Sequence, residues 1–96
     1  MNWIEKINAS LTPVHLTLID ETWKHAGHAG ASAGKGHFIL HVVSQQFDGI
    51  SLLNRNRLVF DILKEEMGSQ IHALTLRAQT PSEWELEKQR GEQSQE

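Results

Sequence analysis

The chain has 96 residues, of which 39% are hydrophobic and 22% charged, and this length suits one small domain. It has no cysteine, which excludes disulfides and thiolate metal ligands from the chain itself. A formal net charge of −3 argues against a general nucleic-acid binder, for which a basic surface is expected. No apolar run is long enough to span a membrane and none resembles a signal peptide, so we expect a small cytoplasmic protein.

The first half of the chain predicts a helix followed by two strands. Asn2 opens a capping-box pattern with Glu5, and Pro13 ends the helix that follows. Strands are predicted over residues 14–20 and 37–44, where apolar and β-branched residues dominate. Glycine and alanine dominate the connection over residues 21–36. An irregular connection of this length is usually functional or disordered.

The second half predicts a helix, a strand and a last helix. The apolar spacing predicts a long helix over residues 52–67, with Ser51 as its N-cap and Gly68 as its C-cap. A third strand is predicted over residues 71–78. Thr80 then begins a capping box with Glu83, which starts a short helix. From residue 88 no apolar side chain remains, and this composition predicts a disordered tail.

The element order is therefore helix, strand, strand, helix, strand, helix. We expect an α+β fold in which helices cover one face of a three-stranded sheet. One domain is predicted over residues 1–87, followed by the tail over residues 88–96.

One stretch joins the strand pattern to the long helix and carries a recognisable set of residues. They are Phe47, Gly49, Ser51, Arg55 and Arg57. This set resembles the signature of the BolA-like family, which reads Phe-x-Gly-x-Ser, three residues, then Arg-His-Arg. Asn56 stands where that family usually has histidine. The resemblance covers about residues 3–85 and implies a fold similar to the type II K-homology (KH) fold.

Six histidines are unusual in so short a chain. The residues alone favour ordinary roles, which are surface positions for His15 and His41, a strand cap for His37, solvated loop positions for His25 and His28, and a half-buried core position for His72. The last of these rests on strand parity, because His72 alternates in register with Leu74 and Leu76.

The resemblance implies a different role for three of these histidines. BolA-like proteins pair with monothiol glutaredoxins, and the two can share a bridged 2Fe–2S cluster. The family's strand ligand matches His72. Its loop ligand aligns most naturally with His25, and His28 is the rival. The glutaredoxin cysteine and glutathione would then supply the remaining thiolates, so we expect the chain alone to be a monomer that holds no stable cluster.

The basic residues offer a second interpretation. Arg55, Arg57 and Lys64 are candidates for a surface that contacts a partner or nucleic-acid phosphate. The alternative for the two arginines is pairing with nearby carboxylates such as Asp48 or Asp61. Asn56 is predicted to lie on the inward stripe of the helix. A Gly-x-x-Gly at residues 27–30 matches the KH phosphate clamp only weakly, because a true clamp joins two helices.

The sequence thus favours a non-enzymatic adaptor that works with a monothiol glutaredoxin in iron–sulfur cluster handling or iron sensing. The alternative is a KH-like transcriptional regulator, for which we expect only weak DNA binding. A zinc-dependent hydrolase is excluded, because the chain lacks an ordered ligand set beside a general base.

Overall fold

The computed structural model describes residues 2–22 and 36–94, and it confirms the predicted order of elements. These elements are α1 (Asn2–Leu11), β1 (His15–Asp20), β2 (Gly36–Val43), α2 (Leu52–Ile62), β3 (Ile71–Gln79) and α3 (Pro81–Ser94). A single 3₁₀ turn, Gln45–Phe47, links β2 to the approach of α2. No helix in the described ranges is both long and apolar enough to cross a membrane.

The three strands form one sheet in the order β1-β2-β3. β1 runs antiparallel to β2, with His15 opposite Val43. β3 runs parallel to β2, as expected for two strands joined by a helical crossover. β2 is therefore central, and β1 and β3 both lie at edges.

The hydrophobic core lies between one face of the sheet and helices α1 and α2. It is built from buried side chains of α1 (Trp3, Ile7, Leu11), β2 (Phe38, Leu40, Val42) and α2 with its C-cap (Val59, Leu63). Alternate residues of β2 point into this core, which is why the inward set falls at every second position. Trp3 meets Phe38 edge-on, with 5.3 Å between ring centroids. This aromatic contact fixes α1 against the central strand.

Helix α2 is shorter than predicted. It ends at Ile62 with Leu63 as C-cap, so the prediction of helix to residue 67 is wrong. The chain then turns, and the Glu66 carbonyl accepts hydrogen bonds from the N–H groups of Gln70 and Ile71. Gly68 does adopt a left-handed conformation, with φ of +87°, but it serves this turn rather than the end of α2.

Helix α3 differs from its prediction in length and position. It continues to Ser94, so residues 88–94 are helical in a segment for which the composition predicts a disordered tail. Glutamate, glutamine, lysine and arginine are good helix formers, and they let a well-capped helix continue without apolar contacts. Helices α1 and α2 cover one face of the sheet, as predicted. Trp84 of α3 instead stacks on His15, which belongs to the opposite face.

Candidate functional site

The signature stretch turns out to be mainly structural. Phe47 is fully buried in the core. Gly49 has φ of +76°, a conformation that side-chain-bearing residues rarely adopt. The Ser51 hydroxyl accepts a hydrogen bond of 3.2 Å from the Asn54 N–H, which confirms the predicted N-cap. Three of the five signature residues therefore set the entry and direction of α2.

Arg55 is a further structural residue, not a surface contact. It is only 6% exposed. Its Nη1 and Nη2 donate to the two carboxylate oxygens of Glu83 at 2.7 and 3.1 Å. Its Nε donates to the Ile50 carbonyl at 2.8 Å, and Nη1 also donates to the Ala78 carbonyl at 3.2 Å. The sequence prediction of Arg55 as part of a partner surface is therefore wrong, because its guanidinium is buried and donates its hydrogen bonds within the fold.

Glu83, which accepts these hydrogen bonds from Arg55, also closes the capping box that begins α3. The Thr80 N–H donates to Glu83 Oε1 at 2.9 Å, and the Glu83 N–H donates to Thr80 Oγ1 at 3.2 Å. This confirms the predicted capping box. The hydrogen bonds from Arg55 and then from Thr80 lower the pKa of Glu83. One carboxylate thus joins α2 to the start of α3.

The other predicted contact residues do lie at the surface. Arg57 and Lys64 are exposed, and Arg57 follows Asn56 directly in α2. Asn56 is exposed as well, so its predicted place on the inward stripe is wrong. The inward stripe instead includes Arg55 and Val59. The prediction missed it because it was based on the spacing of apolar residues, and a buried arginine is not one of them.

His72 lies at an irregularity in the pairing of β2 with β3. Gly36 pairs with Ile71 and His37 pairs with Ala73, so His72 is an extra residue inserted into β3 between two consecutive pairs of the register. An extra residue of this kind is a β-bulge, which redirects side chains locally.

The bulge places His72 outside the core. Strand parity alone groups His72 with Leu74 and Leu76, which are partly buried against the core. His72 is instead exposed, while Ile71 before it is fully buried. The interpretation of His72 as a half-buried core histidine is therefore wrong, because an inserted residue shifts the alternation by one.

His37 is the neighbour that sequence reasoning missed. Its ring centroid lies 4.9 Å from that of His72, with 51° between the ring planes. His37 is half-buried and belongs to the alternate set of β2 that faces away from the core. A signal was present in the sequence, since His37 is the first residue of one predicted strand and His72 the second residue of another. Only the parallel pairing of β2 and β3 brings the two strand starts together.

The long connection between β1 and β2 starts and ends beside this histidine pair. The Glu21 N–H donates to the His37 carbonyl at 2.7 Å, and the His37 N–H donates to Thr22 Oγ1 at 3.1 Å. Hydrogen bonds from the Thr22 side chain and N–H lower the pKa of Asp20. His25 and His28, the predicted loop ligands, lie outside the described residues. The weak Gly-x-x-Gly match at residues 27–30 also lies outside them.

Gly36 fixes the end of that connection by close packing. A Cβ at this position would lie 1.9 Å from the Phe38 ring, so only glycine fits without moving the ring. The Gly36 N–H donates to the Gln70 carbonyl at 3.0 Å. This contact ties the turn before β3 to the start of β2 and so supports the bulge at His72.

A second histidine pair lies at the other end of the same outer sheet face. His15 and His41 have ring centroids 5.3 Å apart, and Trp84 stacks on His15 at 4.4 Å. His41 Nε2 lies 2.6 Å from Gln79 Oε1, and the Gln79 amide donates to Glu87. Both histidines were predicted to be surface residues, but they are half-buried beneath Trp84. Their contacts attach α3 to the sheet.

The chemistry open to the His37–His72 pair is that of imidazole donors. A neutral imidazole nitrogen is a good ligand for iron or zinc. Among residues 2–22 and 36–94, no group of three or more histidine or acidic side chains is placed to hold a metal ion. Two imidazoles fill only part of a coordination sphere, so any metal bound here would need ligands from outside the described residues.

The fold and this site define a small α+β domain with an exposed histidine on a bulged edge strand. A family model described as BolA-like protein matches residues 7–83. Protein BOLA1, chloroplastic, from Arabidopsis thaliana is 42% identical over an alignment of 82 residues, and the match covers 82% of this chain and 51% of that protein. The DNA-binding transcriptional regulator BolA of Escherichia coli is 40% identical over 81 residues, covering 84% of this chain and 74% of the relative.

A solved structure agrees with these sequence matches. The BolA domain of SufE1 from Arabidopsis thaliana superposes with a TM-score of 0.75 at 42% identity, covering 86% of this chain and 92% of that domain. The chain therefore belongs to the BolA-like family. It spans about half the length of the Arabidopsis BOLA1 relative, so the match shows the family and not the whole activity of that protein.

Proposed function

We propose that this protein is a non-enzymatic adaptor that pairs with a monothiol glutaredoxin and shares a bridged 2Fe–2S cluster with it. Its role would be in cluster handling or iron sensing. The cluster is then cargo held between two proteins, with glutathione as a further thiol source.

The observation that carries the proposal is the β-bulge at His72. It turns a histidine out of the core and places it within 4.9 Å of a second imidazole at the end of the sheet. A histidine that served only to fill the core would have no need of this irregularity. An exposed imidazole held by a strand can meet a metal with little loss of conformational freedom.

The donor set fits a shared cluster better than a resident metal. The chain has no thiolate, and the described residues supply two neighbouring imidazoles rather than a full ligand set. A partner would complete the site with thiolates, and histidine ligation would raise the reduction potential relative to thiolates alone. His72 is the proposed principal ligand. His25 is the proposed second ligand, with His28 as its rival, and the structure adds His37 as a third candidate.

The test is the visible circular dichroism of this protein mixed with a cluster-loaded monothiol glutaredoxin. His72→Ala should abolish the signature of the mixed complex. His25→Ala should weaken or alter it, because a loop ligand must lose about 1–2 kcal/mol of backbone freedom per residue fixed. His28→Ala and His37→Ala then decide between the remaining candidates.

His41→Ala is the matched control. It removes a histidine from the same sheet face, but one that contacts Gln79 and Trp84 instead of His72. This variant should keep the mixed signature. An unchanged spectrum with His72→Ala, or an equal loss with His41→Ala, would contradict the ligand assignment.

A second candidate function is suggested by the name of one relative, a DNA-binding transcriptional regulator. Here the burial of Arg55 leaves Arg57 and Lys64 as the exposed members of the proposed basic surface. If nucleic acid is the partner, binding should weaken with salt and with Arg57→Ala. Nanomolar, sequence-selective binding at physiological salt would favour this function over the adaptor.

A further inference from the structure

The outer edge of β3 carries backbone groups that point away from the sheet. The Ser44 N–H donates to the Gln79 carbonyl at 3.0 Å, so Gln79 faces β2. Backbone groups alternate in direction along a strand. The N–H and carbonyl groups of Leu74, Leu76 and Ala78 therefore point outward, toward the unpaired edge.

Only part of this edge is covered. The Ala78 carbonyl accepts from Arg55 Nη1, which closes the edge at its C-terminal end. Within residues 2–22 and 36–94, no hydrogen bond from outside the sheet reaches the outward groups of Leu74 or Leu76. An open edge of this kind is a template for pairing with another extended chain.

A groove runs beside the same edge, between the start of α2, the end of β3 and α3. We call it the edge groove, and its lining residues used below are Leu52, Asn56, Leu76, Ala78, Leu86 and Arg90. Leu52 is 66% exposed and Leu86 is 55% exposed, so two large apolar side chains face solvent across it. The Asn56 amide lies in the groove and can both donate and accept hydrogen bonds.

The charges of the groove do not balance. Two glutamates and two arginines line it. Glu83 is paired with Arg55, and Glu87 is paired with Arg77. Arg90 forms no ion pair among the described residues. The groove therefore has one uncompensated positive charge beside its apolar walls, which favours an occupant with carboxylates.

We propose that the edge groove binds an extended, acidic segment of a partner protein, which adds to β3 as a fourth strand. Outward backbone groups of Leu74 and Leu76 pair with the segment, one apolar side chain packs between Leu52 and Leu86, and a carboxylate meets Arg90. Main-chain pairing with side-chain pockets beside it is a known mode of peptide recognition.

This surface is separate from the histidine pair. His72 is the second residue of β3, whereas Ala78 lies near its end, about 20 Å away at the rise of an extended strand. The inference goes beyond the proposed function and does not rest on it. A partner at the groove would leave the histidine end of the sheet open to a different protein.

The probe is a synthetic eight-residue peptide, acetyl-Asp-Val-Glu-Leu-Asp-Val-Glu-Ala-amide, titrated into the full chain and followed by amide NMR shifts. The control peptide has lysine in place of every acidic residue. Shifts should concentrate on residues 74–78 and on the first turn of α2, and the acidic peptide should bind more tightly than the basic one.

Two pairs of variants localise the binding. Leu52→Gln should weaken the acidic peptide about tenfold, whereas Leu53→Gln, which alters a similarly exposed leucine that does not line the groove, should not. Arg90→Glu should remove the preference for the acidic peptide, whereas Arg57→Glu should keep it.

Three results would overturn the proposal. They are the absence of shifts on residues 74–78 at 1 mM peptide (about the weakest affinity of interest), equal binding of both peptides, and equal effects of Leu52→Gln and Leu53→Gln. Shifts of the same amides on changing protein concentration without peptide would assign the groove to a second copy of the chain instead.

Discussion

The burial of Arg55 shows that the signature stretch has a structural role. A basic residue at the start of a helix suggests contact with an anionic partner, yet this one is buried and donates four hydrogen bonds. Its guanidinium also lies 5.9 Å from the Phe47 ring centroid, so two signature residues pack on each other. The signature is thus mostly a folding element, which positions α2 and closes the end of β3.

Arg55→Ala should destabilise the fold by about 2–4 kcal/mol, because it leaves the Ala78 carbonyl and one side of Glu83 without their donor. The partial exposure of Glu83, whose side chain is 45% accessible, favours the lower end of that range. Urea unfolding measures the loss. Arg57→Ala is the control, since this exposed neighbour should change stability by less than about 0.5 kcal/mol. Equal losses in the two variants would contradict the structural role of Arg55.

At the scale of an element, α3 is attached by a few side chains rather than by a continuous apolar stripe. Trp84 stacks on His15 and lies under the Lys88 ammonium, whose Nζ is 4.0 Å from the ring centroid. Glu87 accepts from Arg77 and Gln79 on β3. These contacts fall in the first half of the helix, and they explain how an almost wholly polar helix stays on the sheet.

Trp84→Ala should therefore lower stability by about 2 kcal/mol and reduce helical circular dichroism, because the half-buried indole stacks on His15 of the sheet. Leu86→Ala is the matched control. Leu86 is 55% exposed on the same helix and should be nearly neutral. If Leu86→Ala cost as much as Trp84→Ala, α3 would have to be attached through its other face.

At the scale of the whole molecule, titration links the ion pairs to stability. Folding lowers the pKa of Asp20, Glu83 and Glu87 from ordinary values of 3.8, 4.5 and 4.5, and the leading cause in each case is a side-chain hydrogen bond. Folding raises the pKa of Lys6 from 10.5, chiefly through its hydrogen bond with Glu66. The three carboxyl groups thus bind their protons less tightly in the folded state than in the unfolded state, whereas Lys6 binds its proton more tightly.

The sign of the pH dependence follows. A carboxylate with a lowered pKa contributes stability above its unfolded value and loses it as pH falls through the folded value. We expect the urea midpoint to decline below about pH 4.5, and the Lys6 contribution to be lost only above pH 10.5. Glu83→Gln should flatten the acid decline. A decline just as steep in Glu83→Gln would show that the Arg55–Glu83 pair does not set it.

Local patterns predicted most of the elements correctly. The N-cap at Ser51 and the capping box at Thr80 and Glu83 each depend on neighbours within a few residues, which the sequence displays directly. The same reason explains the errors in length. The ends of α2 and α3 depend on what lies beyond the helix, and periodicity carries no information about that.

The sequence by itself determined the order of elements, the N-cap of α2, the capping box of α3 and the presence of histidines near the starts of β2 and β3. Only the tertiary structure decided that Arg55 is buried, that His72 leaves the core and that His37 lies beside it. The physical reason is that each of these depends on contacts between residues distant in the chain. Glu83 is 28 residues from Arg55, and the bulge exists only where β3 pairs with β2. Periodicity reports which side of an element is apolar, whereas pairing and burial determine which side chains meet.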